Sequence, residues 1–225
     1  MNKIKTNGFC GLQTKKLNAI APSGPVTSLF ISGWAGYGCL FPCLSKKTRF
    51  VLPFDSGENA GADSLPAQGW DVVIGWSLGA HLCLKHIHKI RAKKVVLIAP
   101  FLDFCHGSSG RKVQEMIAGL DKNPGATVRW FWKLCGIKNA PKLIIGEREE
   151  LKAGLKFLCQ SRIDPGSLGT DLPLTLIHGL DDKIVPAGVS EEILEYLPHA
   201  CYHALPYGHF IPEEEIIKVI YEQPD

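Results

Sequence analysis

Val72-Val73-Ile74-Gly75-Trp76-Ser77-Leu78-Gly79 is an apolar run that ends in G-x-S-x-G and leads straight into a helical pattern. A strand, a cramped turn and a helix are expected in that order. The serine at the turn projects its hydroxyl out of the sheet. Residues beside so tight a turn must be small, which accounts for Gly75 and Gly79. The N-terminus of the helix that follows favours developing negative charge. Ser77 is therefore the candidate nucleophile. The plainer reading is a strand-to-helix turn with an incidental serine.

Outward from this motif, short apolar runs alternate with helical patterns. Strands are expected at 26–32, 49–53, 71–75, 94–99, 172–178 and 201–205, each bounded by Gly, Pro or Asp. Val95-Val96-Leu97-Ile98-Ala99 is apolar throughout, as in a parallel strand covered on both faces. Helices are expected over 78–90, from Ser190 with Glu191 and Glu192 in its first turn, and from Pro212 with Glu213, Glu214 and Glu215. The span 101–170 breaks the rhythm with three helical patterns, starting near Ser109, at Pro124 and near Glu147. It is too long for one crossover. The expected architecture is α/β, a mainly parallel sheet with helices on both faces. Residues 1–100 and 171–225 form the core, and 101–170 a helical lid. The alternative is that these helices merely cover the sheet. No strand is placed in residues 1–21.

Composition narrows the classes of function. The chain has 225 residues, enough for one well-buried domain. A net charge of +3 does not point to nucleic acid. No apolar run is long enough to span a bilayer, so no membrane role is expected. The first sixteen residues lack the apolar core of a secretory signal. The eight cysteines are scattered and read as buried, reduced thiols of a cytoplasmic protein. Cys39 and Cys43 have no second pair at zinc-finger spacing and no nucleotide-binding loop is evident, so neither metal nor cofactor is expected.

A serine nucleophile needs a base. The strand–turn–helix setting with a lid resembles the α/β-hydrolase fold, in which an acid and then a histidine follow the serine. His209 lies in the Gly-bearing loop Pro206-Tyr207-Gly208-His209-Phe210, after the last strand, and is the candidate base. His203 lies in the strand itself and reads as structural. The acid comes from His178-Gly179-Leu180-Asp181-Asp182-Lys183-Ile184-Val185-Pro186. The usual spacing, three residues before the valine, selects Asp182. Asp181 and Asp103 are the competing carboxylates. The oxyanion donors are expected to be the backbone N–H groups of Leu78 and Trp34, the latter in Leu29-Phe30-Ile31-Ser32-Gly33-Trp34. Many proteins of this fold have histidine where this chain has Ser32.

Ser32-Gly33-Trp34, Gly75-Trp76-Ser77-Leu78-Gly79, Ala126-Thr127-Val128-Arg129-Trp130-Phe131-Trp132 and Gly208-His209 together resemble the pimeloyl-[acyl-carrier protein] methyl ester esterases of biotin synthesis. The resemblance runs from about Val26 onward. It implies removal of a methyl group from a pimeloyl thioester carried on acyl carrier protein. It also implies that Trp34, Ser77, Leu78 and His209 surround the ester, while Phe131, Trp132, Lys133, Leu134 and Cys135 line an acyl channel. Charge is compatible with an acidic carrier. The span 101–170 holds eleven Lys and Arg against seven Asp and Glu. Such a surface would steer an acidic partner, although solvated helix faces would look the same. A general short-chain carboxylesterase, a lyase on the same scaffold and a non-catalytic binding protein are the alternatives.

Overall fold

The computed structural model describes residues 27–55, 68–105, 109–143 and 145–221. Val26 and the unassigned opening stretch lie outside the described residues. In chain order the elements are β1 (Ser28–Ile31), α1 (Leu44–Lys47), β2 (Arg49–Val51), β3 (Trp70–Trp76), α2 (Leu78–Lys85) and β4 (Ala92–Ile98). Then come α3 (Ser109–Lys122), α4 (Pro124–Leu134), α5 (Arg148–Gln160), β5 (Leu174–Gly179), α6 (Gly188–Tyr196), β6 (Cys201–Leu205) and α7 (Glu213–Tyr221).

Among the described residues the strands form one six-stranded sheet in the order β2-β1-β3-β4-β5-β6. Every pairing in it is parallel. Consecutive side chains of a strand point to opposite faces. Val95, Val96, Leu97 and Ile98 of β4 are nevertheless all buried, so the sheet is covered on both faces there. The edge strand β6 is largely exposed, as its alternation of Tyr202, His203 and Ala204 allows.

Each strand expected from the sequence is present. Boundaries shift for local reasons. β2 ends at Val51 rather than reaching Pro53, which has no N–H to offer a ladder. The helix after Ser77 ends at Lys85 and is followed by a 3-10 turn over Ile87–Lys89. The helix expected from Ser190 begins at Gly188 instead. Ser190 does not cap it; it is fully buried. The acids that open α7 also divide. Glu213 is buried, and its carboxylate accepts from the N–H groups of Cys43 and Leu44 at 2.9 Å, tying α7 to the start of α1. The expectation of buried thiols is met by Cys83 and Cys135, whereas Cys39 and Cys201 are exposed.

Between β4 and β5 stand α3, α4 and α5. Asn123 caps α4 by accepting from the Ala126 N–H at 2.9 Å, with Pro124 in the first turn. Gly136, at φ +90°, follows its end. Lys152 of α5 pairs with Asp121 of α3 at 2.9 Å. The exit of this segment is fixed to the core. Asp103 and Arg162 form an antiparallel bridge, and their side chains pair at 3.1 Å. Ser161 bonds His81 of α2 at 2.8 Å. Among the described residues, no helix is long and apolar enough to cross a membrane.

Candidate active site

Ser77 sits between β3 and α2 at φ 54°, ψ −112°, a conformation that L side chains rarely adopt. The surrounding glycines show why it persists. A Cβ on Gly75 would lie 2.7 Å from the Ala80 Cα, and one on Gly79 would run into the carbonyl of Ile31. The first turn of α2 is pressed against the sheet, and any side chain at either position would push it away.

The Ser77 hydroxyl is 2.8 Å from Nε2 of His209. On the far side of that ring, Nδ1 is 2.7 Å from Oδ2 of Asp182. An ionised carboxylate only accepts, so Nδ1 carries the proton and Nε2 accepts from the serine. The side chains of His209 and Asp182 have no solvent exposure, and Ser77 is 7% exposed. Oδ1 of Asp182 accepts from the N–H groups of Ile184 at 2.8 Å and Val185 at 2.9 Å. Burial pushes the Asp182 carboxyl up. Electrostatic attraction to His209, together with hydrogen bonds from His178, His209 and Val185, outweighs burial and holds it below the usual carboxylate range.

The competing residues go elsewhere. Asp181 is exposed. Asp103 accepts from the Cys105 N–H and pairs with Arg162. His203 lies within β6 and is exposed. His81 is fully buried; it bonds the carbonyl of Phe101 at 3.0 Å and the Ser161 hydroxyl at 2.8 Å.

Trp34 and Ala35 are the central residues of a turn closed by the Gly36 N–H on the Gly33 carbonyl at 3.0 Å. The N–H at the first central position of such a turn takes no part in closing it. The Leu78 N–H belongs to the first turn of α2, where helical donors have no partner within the helix. The two segments are adjacent, since a Cβ on Gly33 would stand 3.2 Å from the Ser77 Cβ. Ser32 is buried and donates to the Gly36 carbonyl.

Phe131, Trp132, Lys133, Leu134 and Cys135 do not share one environment. Phe131, Trp132 and Cys135 are buried, Leu134 is half-buried and Lys133 is exposed, as five consecutive helical residues must spread around the axis. The Trp132 indole donates to the Ala35 carbonyl at 2.9 Å. In return, the Trp34 indole donates to the Leu151 carbonyl of α5 at 2.8 Å and packs edge-on against Phe131. Two tryptophans thus bind the turn at Trp34 to the helices above it.

Several contacts at the site have no motif in the sequence. The Trp76 indole donates to the His209 carbonyl at 2.9 Å. The Phe210 N–H donates to the Cys135 carbonyl at 2.9 Å. Gly179 has no room for a Cβ beside the carbonyls of Tyr207 and Gly208. His178 sits behind Asp182, with Nε2 at 3.3 Å from Oδ2. These supports run through backbone carbonyls and packing, which leave no motif in a sequence. Among the described residues, no group of three or more His, Cys, Asp or Glu side chains is arranged to hold a metal ion.

No family model matches the sequence. Over 170 residues it is 27% identical to the pimeloyl-[acyl-carrier protein] methyl ester esterase of Nitrosomonas europaea, covering 66% of this chain and 67% of that protein. The enzyme of the same name from Aromatoleum aromaticum is 27% identical over 180 residues, covering 64% of this chain and 70% of that protein. Among solved structures, an esterase from Exiguobacterium antarcticum superposes with a TM-score of 0.66 at 14% identity, covering 88% of this chain and 91% of that one. A thermophilic esterase from Thermogutta terrifontis gives 0.64 at 15% identity, covering 87% and 86%. The chain has the α/β-hydrolase fold, and its sequence resembles the pimeloyl-[acyl-carrier protein] methyl ester esterases.

Proposed function

We propose that the chain is a serine carboxylic ester hydrolase whose substrate is the methyl ester of a pimeloyl group carried on acyl carrier protein. The observation that carries this reading is the continuous line from Ser77 through His209 to Asp182, at 2.8 Å and 2.7 Å. In the proposed mechanism His209 takes the Ser77 proton as the oxygen attacks the ester carbonyl. Asp182 holds the ring in the required tautomer and stabilises the imidazolium. The N–H groups of Leu78 and Trp34 receive the oxyanion, each worth about 3 kcal/mol in the transition state. His209 then gives its proton to the leaving methoxide, and methanol departs. Water, activated by the same histidine, releases the acid from Ser77. No cofactor enters these steps.

Substrate choice rests on the resemblance to the two curated enzymes and on the helices α3 to α5. In this reading those helices form a lid, and Trp34, Phe131, Trp132, Lys133, Leu134 and Cys135 border the acyl chain. The surplus of Lys and Arg over 101–170 meets an acidic carrier protein. The reaction belongs to biotin synthesis in the cytoplasm.

Labelling by a fluorophosphonate, abolished in Ser77→Ala, tests the hydrolase reading; an unlabelled native protein would favour a binding role instead. Substrate is tested by complementing a biotin-requiring strain that lacks its methyl esterase. Faster turnover of short acyl esters than of pimeloyl methyl esters would mark a general carboxylesterase. Hydrolysis of the carrier-bound ester should slow as salt rises while that of a small free ester does not. An equal response of both removes the carrier protein from the reading.

A further inference from the structure

We propose that His178 is a positioning residue for Asp182, held in one tautomer by the Val185 carbonyl and supported by Ser190, and that it sets how strongly Asp182 binds the proton of His209. This deepens the triad reading and rests on it.

His178 lies near the end of β5 and is fully buried, as is Ser190 of α6. Its Nε2 is 2.9 Å from the carbonyl of Val185, which can only accept, so Nε2 carries a proton. With that proton placed, the neutral ring offers Nδ1 as an acceptor, and the Ser190 hydroxyl donates to it at 2.7 Å. Both ring nitrogens are satisfied. The Val185 carbonyl fixes the tautomer, and the Ser190 hydroxyl supports it by donating to the other nitrogen.

The consequence reaches Asp182 by two routes. Nε2, whose proton is aimed at Val185, also lies 3.3 Å from Oδ2, the same oxygen that takes the His209 proton. Val185 supplies the second route, because its N–H donates to Oδ1 of Asp182 while its carbonyl is held by His178. A positive dipole on Oδ2 draws electron density away from the His209 bond. Without it the carboxylate would bind the imidazolium more tightly, and His209 would stay protonated to higher pH. Cys135, at the end of α4, also faces Asp182 among the described residues. Burial, followed by the Asp182 charge, pushes its thiol well up, so it stays neutral.

The test uses the full chain, a nitrophenyl ester and normalisation of every rate to sites labelled by a fluorophosphonate. His178→Leu removes the N–H donor, and His178→Gln returns one at a similar reach. The leucine variant should lose about tenfold in kcat with KM unchanged, a loss typical of removing an outer partner. Its acid limb in kcat/KM should move up by about half a pH unit. The glutamine variant should recover both. Ser190→Ala, a milder change, should shift the limb in the same direction by less. If labelled leucine or alanine variants keep the native kcat and acid limb, the inference is overturned, and a drop in melting temperature alone means that His178 only packs. If His178→Leu does not fold, Ser190→Ala decides by the same limb. Absence of labelling in the native protein would defeat the triad reading itself, a separate outcome.

Discussion

The indole of Trp76 donates to the carbonyl oxygen of His209 across 2.9 Å, although the two residues are 133 positions apart. The residue that precedes the candidate nucleophile therefore also anchors the backbone of the candidate base. Both side chains are buried, and their rings lie 5.6 Å apart. The turn that raises Ser77 and the loop that carries His209 are locked to one another.

Trp76→Phe keeps most of the packing and removes this donor. The His209 carbonyl then lacks its partner, which costs about 1–2 kcal/mol of stability. Displacement of the imidazole by a fraction of an ångström should lower kcat about ten- to a hundredfold. Steady-state rates on a nitrophenyl ester, with urea denaturation in parallel, check both numbers. A variant with native kcat would show that the bond does not position the ring.

Asp182→Asn should reduce kcat about ten-thousandfold, because an amide can hold the wrong tautomer of His209. It should also change the acid limb of stability. The folded carboxyl is held below its usual value near 3.8, so the unfolded chain takes up the proton first. Stability is complete above that value and falls as the pH drops beneath it. Melting temperature between pH 4 and pH 2 (roughly the window in question) should fall more steeply in the native protein than in the variant.

His81 gives a second, separate pH dependence. Burial disfavours its charged form and outweighs the Phe101 carbonyl, lowering it from 6.5 to about 4. Between these values the unfolded chain binds a proton that the folded one does not. Stability is therefore present above pH 6.5 and decreases towards pH 4, by about 3 kcal/mol. His81→Leu loses the hydrogen bonds to Phe101 and Ser161, so it starts lower, but its stability should be flatter over that range. Parallel slopes for the two proteins would refute the assignment.

Gly79→Ala tests the steric basis of the turn. The added methyl collides with the Ile31 carbonyl, and main chain on both sides must move. A loss of about 3 kcal/mol or more is expected in urea denaturation, with failure to accumulate soluble protein as the extreme. A variant of native stability would mean that the helix after Ser77 can lift away from β1 freely.

Two neighbouring aspartates show where sequence reading stops. Asp181 and Asp182 have the same chemistry and sit in the same loop, and spacing from Val185 favoured the second. The contacts of the folded chain separate them physically. Asp182 receives two N–H groups on one oxygen and His209 on the other, while Asp181 faces solvent. Helix starts show the same limit. Ser190 stands before Glu191 and Glu192 in a pattern that suits a helix start, yet its hydroxyl is bonded to His178 inside the fold.

The order of strands and helices, the cramped turn at Ser77 and the chain order of Ser77, Asp182 and His209 were determined by the sequence alone. Apolar runs, flanking glycines and helix-opening residues act over a few positions, and their effect on the backbone is local. Which side chains meet was decided by the tertiary structure. Ser77 touches His209 across 132 positions only because β3, β4, β5 and β6 lie side by side and parallel, so that their outgoing loops gather at one edge of the sheet. The indole bonds of Trp34, Trp76 and Trp132 belong to the same class. A buried donor must find an acceptor, but packing in three dimensions selects which one.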